Sequence, residues 1–332
     1  MRTRLTASAL LVAACATGPT PAPVTAPVAQ SPSASVSPPA SSMSATAEAF
    51  RSQQPPAGPP VSFRAPVPKV LRLKNGLAVW LLERHDLPLV SLLLVVDAGS
   101  NTNPAAVPGL DNFVAAMLDE GTQTRDALAI ATAFEDVAAV FKADSDAETL
   151  RASLSVPTAS LESALDVYAD VILHPAFKPA DVERIRNLRL GELEQMEDDP
   201  AQVGRQVLAR VVYGDKHPWA YPAQGTRQGT RRVSRATLAA WYRTWVRPNN
   251  ATLVVVGDVE EANLLPLLTS RFGKWTPGKL PRAQVPPAAT LAARPLVLVD
   301  KSGAPQSQVW MGQLAMRRPL MPPSTSFTSR VA

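Results

Sequence analysis

The sequence is poor in the residues from which most reactive sites are built. Its 332 residues include a single cysteine, Cys15, so no disulfide can form within the chain. The chain has only three histidines, which are far apart and lack the spacing of metal ligands: His85, His174 and His217. It has no glycine-rich phosphate loop, no G-x-S-x-G nucleophile turn and no Cys–His nucleophile pair. These absences exclude the commonest phosphate-binding, serine-hydrolase and thiol-dependent sites.

A strong excess of one charge is also lacking. The 33 basic and 28 acidic residues leave a net charge of +5, which is mild for this length. The two basic runs, residues 227–232 and Arg317-Arg318, contain no interleaved aromatic side chains. Basic runs can bind nucleic acid or acidic lipid, but solvated loops explain these two better. We therefore expect no nucleic-acid partner.

The N-terminus has the pattern of an export signal. A short basic segment, Met1–Arg4, precedes an apolar run, Leu5–Ala14, that is too short to span a bilayer. The residues Val12-Ala13-Ala14-Cys15 resemble a bacterial lipobox, which implies a signal peptide over residues 1–14 and a lipidated Cys15. Alanine rather than aspartate at residue 16 favours sorting to the outer membrane. The prediction is a lipid anchor there, facing the periplasm; the alternative is an ordinary cysteine in a cleaved signal peptide.

Proline is abundant, with 33 residues, and much of it lies in the segment that follows. Residues 15–67 are rich in Pro, Ala and Ser and contain few large apolar side chains. Such a segment cannot bury enough surface to offset its chain entropy. Its prolines favour an extended conformation, so it is predicted to be a tether that spans tens of ångströms.

Hydrophobic periodicity predicts a mixed fold for the remainder. The chain divides into a signal peptide (1–14), a tether (15–67), a domain (68–278), a linker (279–294) and the start of a second domain (295–332). Strands are predicted at about 70–82 (a hairpin), 89–96, 150–156 and 252–256. Helices are predicted at 125–141, 160–173, 235–245 and 260–272, with a short one after Pro108 and two that meet at Asp199-Pro200. This pattern indicates an α+β two-layer sandwich, a largely antiparallel sheet with helices packed on it.

The short helix over residues 109–122 is the most informative segment. As an amphipathic helix it would end at Gly121 and face the core with five apolar residues: Leu110, Phe113, Val114, Met117 and Leu118. The segment resembles the active-site helix of the pitrilysin/insulinase-type (M16) zinc peptidases, G-L-x-H-x-x-E-H-x-L-x-x-G-T. In this chain the three chemical positions are occupied by Asn112, Ala115 and Ala116.

These three substitutions remove the chemistry of such a site. Imidazoles four residues apart on a helix share one face and can grip one zinc ion. A carboxylate between them can take a proton from metal-bound water. The neutral amide of Asn112 is a poor ligand, Ala115 cannot act as a base, and Ala116 cannot coordinate a metal. No cofactor is therefore expected here, whereas active members of the family hold Zn²⁺.

A downstream segment resembles the family's third-ligand region. Residues 190–200, L-G-E-L-E-Q-M-E-D-D-P, place that ligand at Glu192. Helical spacing aligns it with Ile185, Leu188 and Met196, which predicts that Glu192 points inward. The alternative is a partly solvated carboxylate at the edge of an apolar stripe. In either case one surviving ligand cannot hold zinc.

Several further segments carry the same resemblance. They are the Asn-Gly hairpin at 73–77, His217-Pro218, Gly225-Thr226, the R-P-N-N-A-T-L-V-V-V-G-D stretch at 247–258, the hairpin at 300–309 with a strand at 296–300, and S-F-T-S-R at 326–330. The helix that normally precedes the last segment is missing. The chain also ends before the second-domain arginine and tyrosine that assist catalysis in active members.

The resemblance implies a zinc-free subunit that pairs with an active sister chain carrying H-x-x-E-H and helps to bind peptide substrates. Two alternatives remain open. An active zinc endopeptidase would need its histidines to converge with Glu192. A truncated remnant would have no function.

Overall fold

The computed structural model describes Gly58 and residues 64–288, 295–303 and 306–314. The predicted signal peptide, Cys15, most of the tether and the segment 326–330 lie outside the described residues. By its internal contacts the chain divides into two units, residues 1–63 and 64–332, and the elements below belong to the second. Among the described residues, no helix combines the length and the apolar character needed to cross a membrane.

A six-stranded sheet organises the domain. Its strands are β1 (Lys69–Arg72), β2 (Ala78–Glu83), β3 (Leu89–Val96), β4 (Val140–Ser145), β5 (Leu150–Pro157) and β6 (Ala251–Gly257). The order across the sheet is β1-β2-β6-β3-β5-β4. Every neighbouring pair is antiparallel except β2 and β6, which run parallel. The parallel pair requires a long crossover connection, which all the intervening elements supply.

Eight helices are found in the described part of the chain. They are α1 (Leu110–Ala115), α2 (Ala127–Glu135), α3 (Leu161–Leu173), α4 (Pro179–Asp198), α5 (Pro200–Tyr213), α6 (Arg227–Arg232), α7 (Arg235–Trp245) and α8 (Glu261–Phe272). Helices α1 and α3 contact β5, and α1 and α2 contact β4, so helices cover one face of the sheet. On β3, Val90, Leu92 and Leu94 point into this core and are almost fully buried. The predicted α+β sandwich is confirmed.

One predicted helix is wrong in part. Residues 125–141 were expected to form a single helix, but α2 ends at Glu135 and β4 begins at Val140. Between them Ala138 has a left-handed backbone with φ of 52°, which breaks the helix. Val140 then pairs with Ser155 of β5. Sheet pairing therefore overrides the helical preference of an alanine-rich segment.

The basic run at 227–232 is also not the loop that was expected. It forms α6, whose N-terminus is capped by the Thr226 side chain, an acceptor for the Gly229 N–H. Gly229 and Thr230 are buried. Arg227 makes a two-point ion pair with Glu197, with N–O distances of 2.9 and 3.1 Å. One charge of this run, that of Arg227, therefore helps to hold α6 against α4.

The predicted strand at residues 296–300 is absent from the structure, which has no regular element there. Leu296 is 98% exposed and Leu298 is 90% exposed. A strand needs a hydrogen-bonding neighbour, and no strand of the described sheet lies beside this segment.

The segment 306–314 nevertheless lies against the domain. The Trp310 ring packs on α5, where Gly204 leaves room for it: a Cβ at Gly204 would lie 2.5 Å from Trp310 Cδ1. The guanidinium carbon of Arg205 lies 5.7 Å from the centre of the same ring. Lys301 donates to the carbonyl oxygens of Glu197 and Asp198 at the end of α4. Lys301 and Trp310 therefore both contact the domain near the corner between α4 and α5.

A contact between two glycines sets the position of α1. Gly109, which precedes α1, and Gly225 both have left-handed backbones, with φ of 84° and 80°. A Cβ on Gly225 would lie 1.9 Å from the carbonyl oxygen of Pro108, and one on Gly109 would lie 2.5 Å from that of Gln224. Only glycine permits both the conformation and the approach. The start of α1 is thus held directly against the loop before α6.

We predict that Gly225→Ala lowers the free energy of unfolding by about 1–3 kcal/mol, because alanine is strained at this φ and meets backbone atoms. Urea denaturation measures the change. The control is Gly191→Ala, an exposed position in α4 with nothing within 4 Å of the new Cβ. That substitution is expected to raise stability by up to about 1 kcal/mol. Equal effects of the two substitutions would contradict the packing role of Gly225.

Candidate functional site

Helix α1 turns its apolar face to the sheet. All five residues predicted to face the core are buried, with relative exposures of 0 or 1%: Leu110, Phe113, Val114, Met117 and Leu118. The helix ends at Ala115 and not at Gly121 as predicted. The following N–H groups of Met117 and Leu118 bond to the carbonyls three residues back, which tightens the chain into a turn. Ala115 is 2% exposed and lies in the core, whereas Asn112 and Ala116 are half-buried.

The side chain of Asn112 faces α4 and is bonded to Arg189. A terminal guanidinium nitrogen of Arg189 donates to Asn112 Oδ1 at 2.5 Å. The guanidinium carbon lies 5.5 Å from the centre of the Phe113 ring, a cation–π distance. Arg189 is only 5% exposed, and among the described residues its Nε has no hydrogen-bond partner. A buried cation therefore contacts the first of the three positions at which the family motif carries its chemistry.

Arg189 is held by charge as well as by this hydrogen bond. Burial lowers the pKa of its guanidinium, and the carboxylates of Glu192 and Asp111 oppose that shift. The charged form persists because the ordinary pKa of arginine is so high. The site therefore contains a fixed positive charge with two acidic groups around it.

Asp111 is the second buried ionisable group of the site. Its Oδ1 accepts a hydrogen bond from Asn103 Nδ2 at 2.5 Å, and its backbone N–H donates to Asn103 Oδ1 at 3.0 Å. Within the part of the chain that the structure describes, Asp111 Oδ2 has no partner. Burial raises the pKa of this carboxyl, and the hydrogen bond from Asn103 opposes the shift.

The expectation that Glu192 points inward is not met: its side chain is exposed. Leu188, expected on the same stripe, is 57% exposed. The buried face of α4 shares Ile185 with the expected stripe. It then continues through Arg189 and Leu193, one position after Leu188 and Glu192, and it also includes Val182. Arg189 was missed because the expected stripe runs through Leu188 and Glu192 and passes beside position 189. Its spacing of four from Ile185 and seven from Val182 is the signal that could have found it.

Two more arginines join α4 to its neighbours. Arg184 forms an ion pair with Glu120, in the turn that follows α1. Arg186 donates to the carbonyl oxygens of Thr230 and Arg231 at the end of α6, at 2.9 and 3.0 Å. Together with Arg189, these contacts fix the distance between α4 and the helix that carries the motif.

The structure does not bring the three histidines together. His85 Nδ1 lies 2.7 Å from Asp258 Oδ1, and His174 Nδ1 lies 3.1 Å from Asp170 Oδ1. Both imidazoles are about half exposed. Each therefore pairs with its own aspartate.

His217 has a packing role. Its ring stacks on that of Tyr213 with centres 4.8 Å apart, and its Nδ1 accepts the backbone N–H of Trp219. Burial lowers the pKa of this imidazole. It borders a cavity of about 290 Å³ in front of α1, which Asn103 and Gly109 also line. The imidazole of His217 and the loop that precedes α1 therefore line the same cavity.

The donor set does not fit zinc. Asn112 is engaged by a cation, Ala115 and Ala116 have no donor atoms, and Glu192 is exposed on the neighbouring helix. Zinc sites in proteins use three or four imidazole, thiolate or carboxylate ligands. Among the described residues, no group of three or more His, Cys, Asp or Glu side chains is arranged to hold a metal ion.

Comparison with known families agrees with this scaffold. Residues 79–219 match the model of the insulinase family, peptidase family M16, and residues 232–318 match the peptidase M16 inactive domain. The chain belongs to the M16 peptidase family. Two curated relatives of this M16 protein are uncharacterized zinc proteases. ML0855 of Mycobacterium leprae is 28% identical over 65% of this chain and 49% of its own length. YmxG of Bacillus subtilis is 23% identical over 57% and 46%.

Solved structures share the fold. The peptidase M16 inactive domain from Pseudomonas fluorescens has 27% identity and a TM-score of 0.63, covering 67% of this chain and 54% of that one. The periplasmic protease PqqL from Escherichia coli has 22% identity and a TM-score of 0.60, covering 67% and 25%. The chain spans about half the length of the curated relatives that it matches.

We predict a strong energetic coupling between Asn112 and Arg189. In a double-mutant cycle of Asn112→Ala and Arg189→Met, the coupling in unfolding free energy should be about 1.5–3 kcal/mol, as for hydrogen bonds to charged groups. The control cycle pairs Asn112→Ala with Arg184→Met, which shares no partner with Asn112, and should be additive within about 0.5 kcal/mol. Additivity in both cycles would show that the Arg189 bond contributes nothing specific.

A pH dependence follows from the raised pKa of Asp111. The folded protein holds this proton more tightly than the unfolded chain, so the contribution of Asp111 to stability is fully present below the ordinary pKa of 3.8. It is lost as the pH rises from there through the folded pKa. Relative to Asp111→Asn, the wild type should therefore lose stability in urea titrations as the pH rises above about 4 and through the raised pKa of the folded state. The low-pH measurements are the internal control, because both side chains are neutral there; a constant difference would contradict the assignment.

Proposed function

We propose that this chain is a non-catalytic, zinc-free M16 subunit that helps an active H-x-x-E-H sister chain to bind peptide substrates. The observation that carries the proposal is the hydrogen bond between Arg189 and Asn112 at the first ligand position. A cation bonded at this point repels a second cation, and neither Ala115 nor Ala116 can bind a metal ion or activate its water.

The packing around the site supports the same proposal. The residues that anchor α1, among them Leu110, Phe113 and Leu118, are fully packed although the chemical positions carry no reactive groups. A decayed site would not require an intact scaffold, whereas a subunit that presents a surface to peptide or to a sister chain does. The Pseudomonas fluorescens relative, named as an inactive domain, has the same fold.

The test combines metal analysis with peptidase assays on the purified full-length chain. Alone, it should contain less than about 0.1 zinc per chain and should not cleave unfolded peptides, since the donor set is incomplete. Mixed with an H-x-x-E-H chain from the same genome, it should raise that chain's kcat/KM at least about tenfold, because completing a binding site contributes a few kcal/mol. A sister chain with its motif glutamate changed to glutamine is the control for contaminating activity.

The possible results separate the three functions. Stoichiometric zinc together with cleavage by the chain alone would establish an active endopeptidase with an unrecognised site. Absence of zinc, absence of cleavage and absence of stimulation would identify a remnant. Only stimulation without intrinsic activity agrees with the proposed subunit.

We also propose that Cys15 is lipidated and anchors the chain to the outer membrane, with the domain in the periplasm beyond the tether of residues 15–67. Two observations support this: the lipobox-like sequence at residues 12–15 and the proline-rich composition of the tether.

We predict that Cys15→Ser abolishes incorporation of labelled palmitate and moves the protein out of the outer-membrane fraction, because no thiol remains to carry the lipid. The matched control, Ala16→Asp, should still incorporate the label, but the protein should then be found in the inner-membrane fraction. Labelling of the Cys15→Ser variant would disprove the anchor.

A further inference from the structure

The hydrogen bond between Arg189 and Asn112 joins two particular helices. The family motif places one metal ligand at the position of Asn112 on α1, a second at Ala116 directly after that helix, and a third at Glu192 on α4. In this chain the direct bond between those helices is instead the 2.5 Å contact from the Arg189 guanidinium to Asn112 Oδ1. Glu192 follows Arg189 by three residues, so both lie on neighbouring turns of the same helix.

The guanidinium lies in a place from which it cannot easily move. Its side chain is 5% exposed, and it lies over the Phe113 ring, which is itself fully buried. Swinging out to water would break the bond to Asn112 and the cation–π contact and would leave a void beside α1. The positive charge is thus a permanent part of the site.

A permanent positive charge at this point opposes the binding of a second cation. Like charges at a few ångströms repel strongly when little water separates them. A divalent ion coordinated by a side chain at residue 112 would lie within the reach of Arg189, whose nitrogen is already at hydrogen-bond distance from that side chain. The missing imidazoles are therefore not the whole obstacle to metal binding.

We propose that Arg189 replaces the metal as the cation that links α1 to α4, and that it excludes divalent metal ions from this site even when the missing imidazoles are restored. The proposal rests on the zinc-free part of the proposed function and goes beyond it. It assigns the exclusion of metal ions to one residue, Arg189. It also predicts that restoring the two histidine ligands alone does not restore a zinc site.

The test measures zinc binding and not peptidase activity, so it can fail independently of the partner role. The ligand pair is restored by Asn112→His and Ala116→His, which leaves the core residue Ala115 unchanged. This double variant is compared with a triple variant that also carries Arg189→Met. Zinc affinity is measured for the full chain by competition with a chromophoric chelator, and far-ultraviolet circular dichroism verifies the fold of each variant.

We expect the triple variant to bind zinc at least about 100-fold more tightly than the double variant, a ratio of dissociation constants that reflects removal of one buried positive charge. Two control variants are made on the double-histidine background. Arg189→Lys keeps the charge and should bind as weakly as the double variant. Arg184→Met removes a charge from the same helix at a position with 54% side-chain exposure, and should have no effect. Equal zinc affinity in the double and triple variants, whether tight or undetectable, would overturn the proposal.

A second measurement covers the case in which the double variant does not fold. The single substitution Asn112→His is made with Arg189 and with Arg189→Met, and the new imidazole is titrated by NMR without metal. Arg189 should lower the proton affinity of that imidazole at least about tenfold, because the two positive charges repel. An unchanged titration would show that the charge of Arg189 does not act at the ligand position.

Discussion

The placement of α1 on the sheet is the constraint on which the site depends. A helix of six residues has no stability of its own. It exists because Leu110, Phe113 and Val114 are buried, and because Gly109 and Gly225 allow its first turn to contact the loop before α6. Once the apolar face is buried, the rest of the helix has no freedom to rotate. Ala115 must enter the core, and the side chain of residue 112 must face α4.

The electrostatics of the site follow from that orientation. A guanidinium removed from water is costly unless it is hydrogen-bonded and compensated. The amide oxygen of Asn112, the ring of Phe113 and the nearby carboxylates of Glu192 and Asp111 provide the compensation. Asparagine suits this arrangement better than histidine does, since its amide oxygen accepts the Arg189 hydrogen bond at any pH, whereas an imidazole can accept it only when neutral. Asn112, a poor metal ligand, is therefore a good hydrogen-bond acceptor for its neighbour Arg189.

In this chain the packing of the M16 scaffold is separate from the chemistry of its motif positions. The packing of α1 between sheet and α4 is retained, while the positions that would carry the chemistry hold an amide and two methyl groups. In this chain α4 is bonded to α1, to the turn after it and to the end of α6 by Arg189, Arg184 and Arg186. These bonds hold α4 against its neighbours through side chains of the chain itself, as the proposed non-catalytic role requires.

The sequence by itself determined the elements with clear periodicity and the residue types at the motif. Strand β3 was predicted with its observed limits, and α3, α7 and β6 to within a residue, because alternation and helical spacing are local properties. The tertiary structure alone decided the rest. The segment at 140–145 is a strand because β5 offers it a partner, whereas residues 296–300 form none, since no strand of the described sheet lies beside them. Arg189 rather than Glu192 faces inward because residues three apart on a helix differ by about 60° in direction, and only packing against α1 selects which of them is buried.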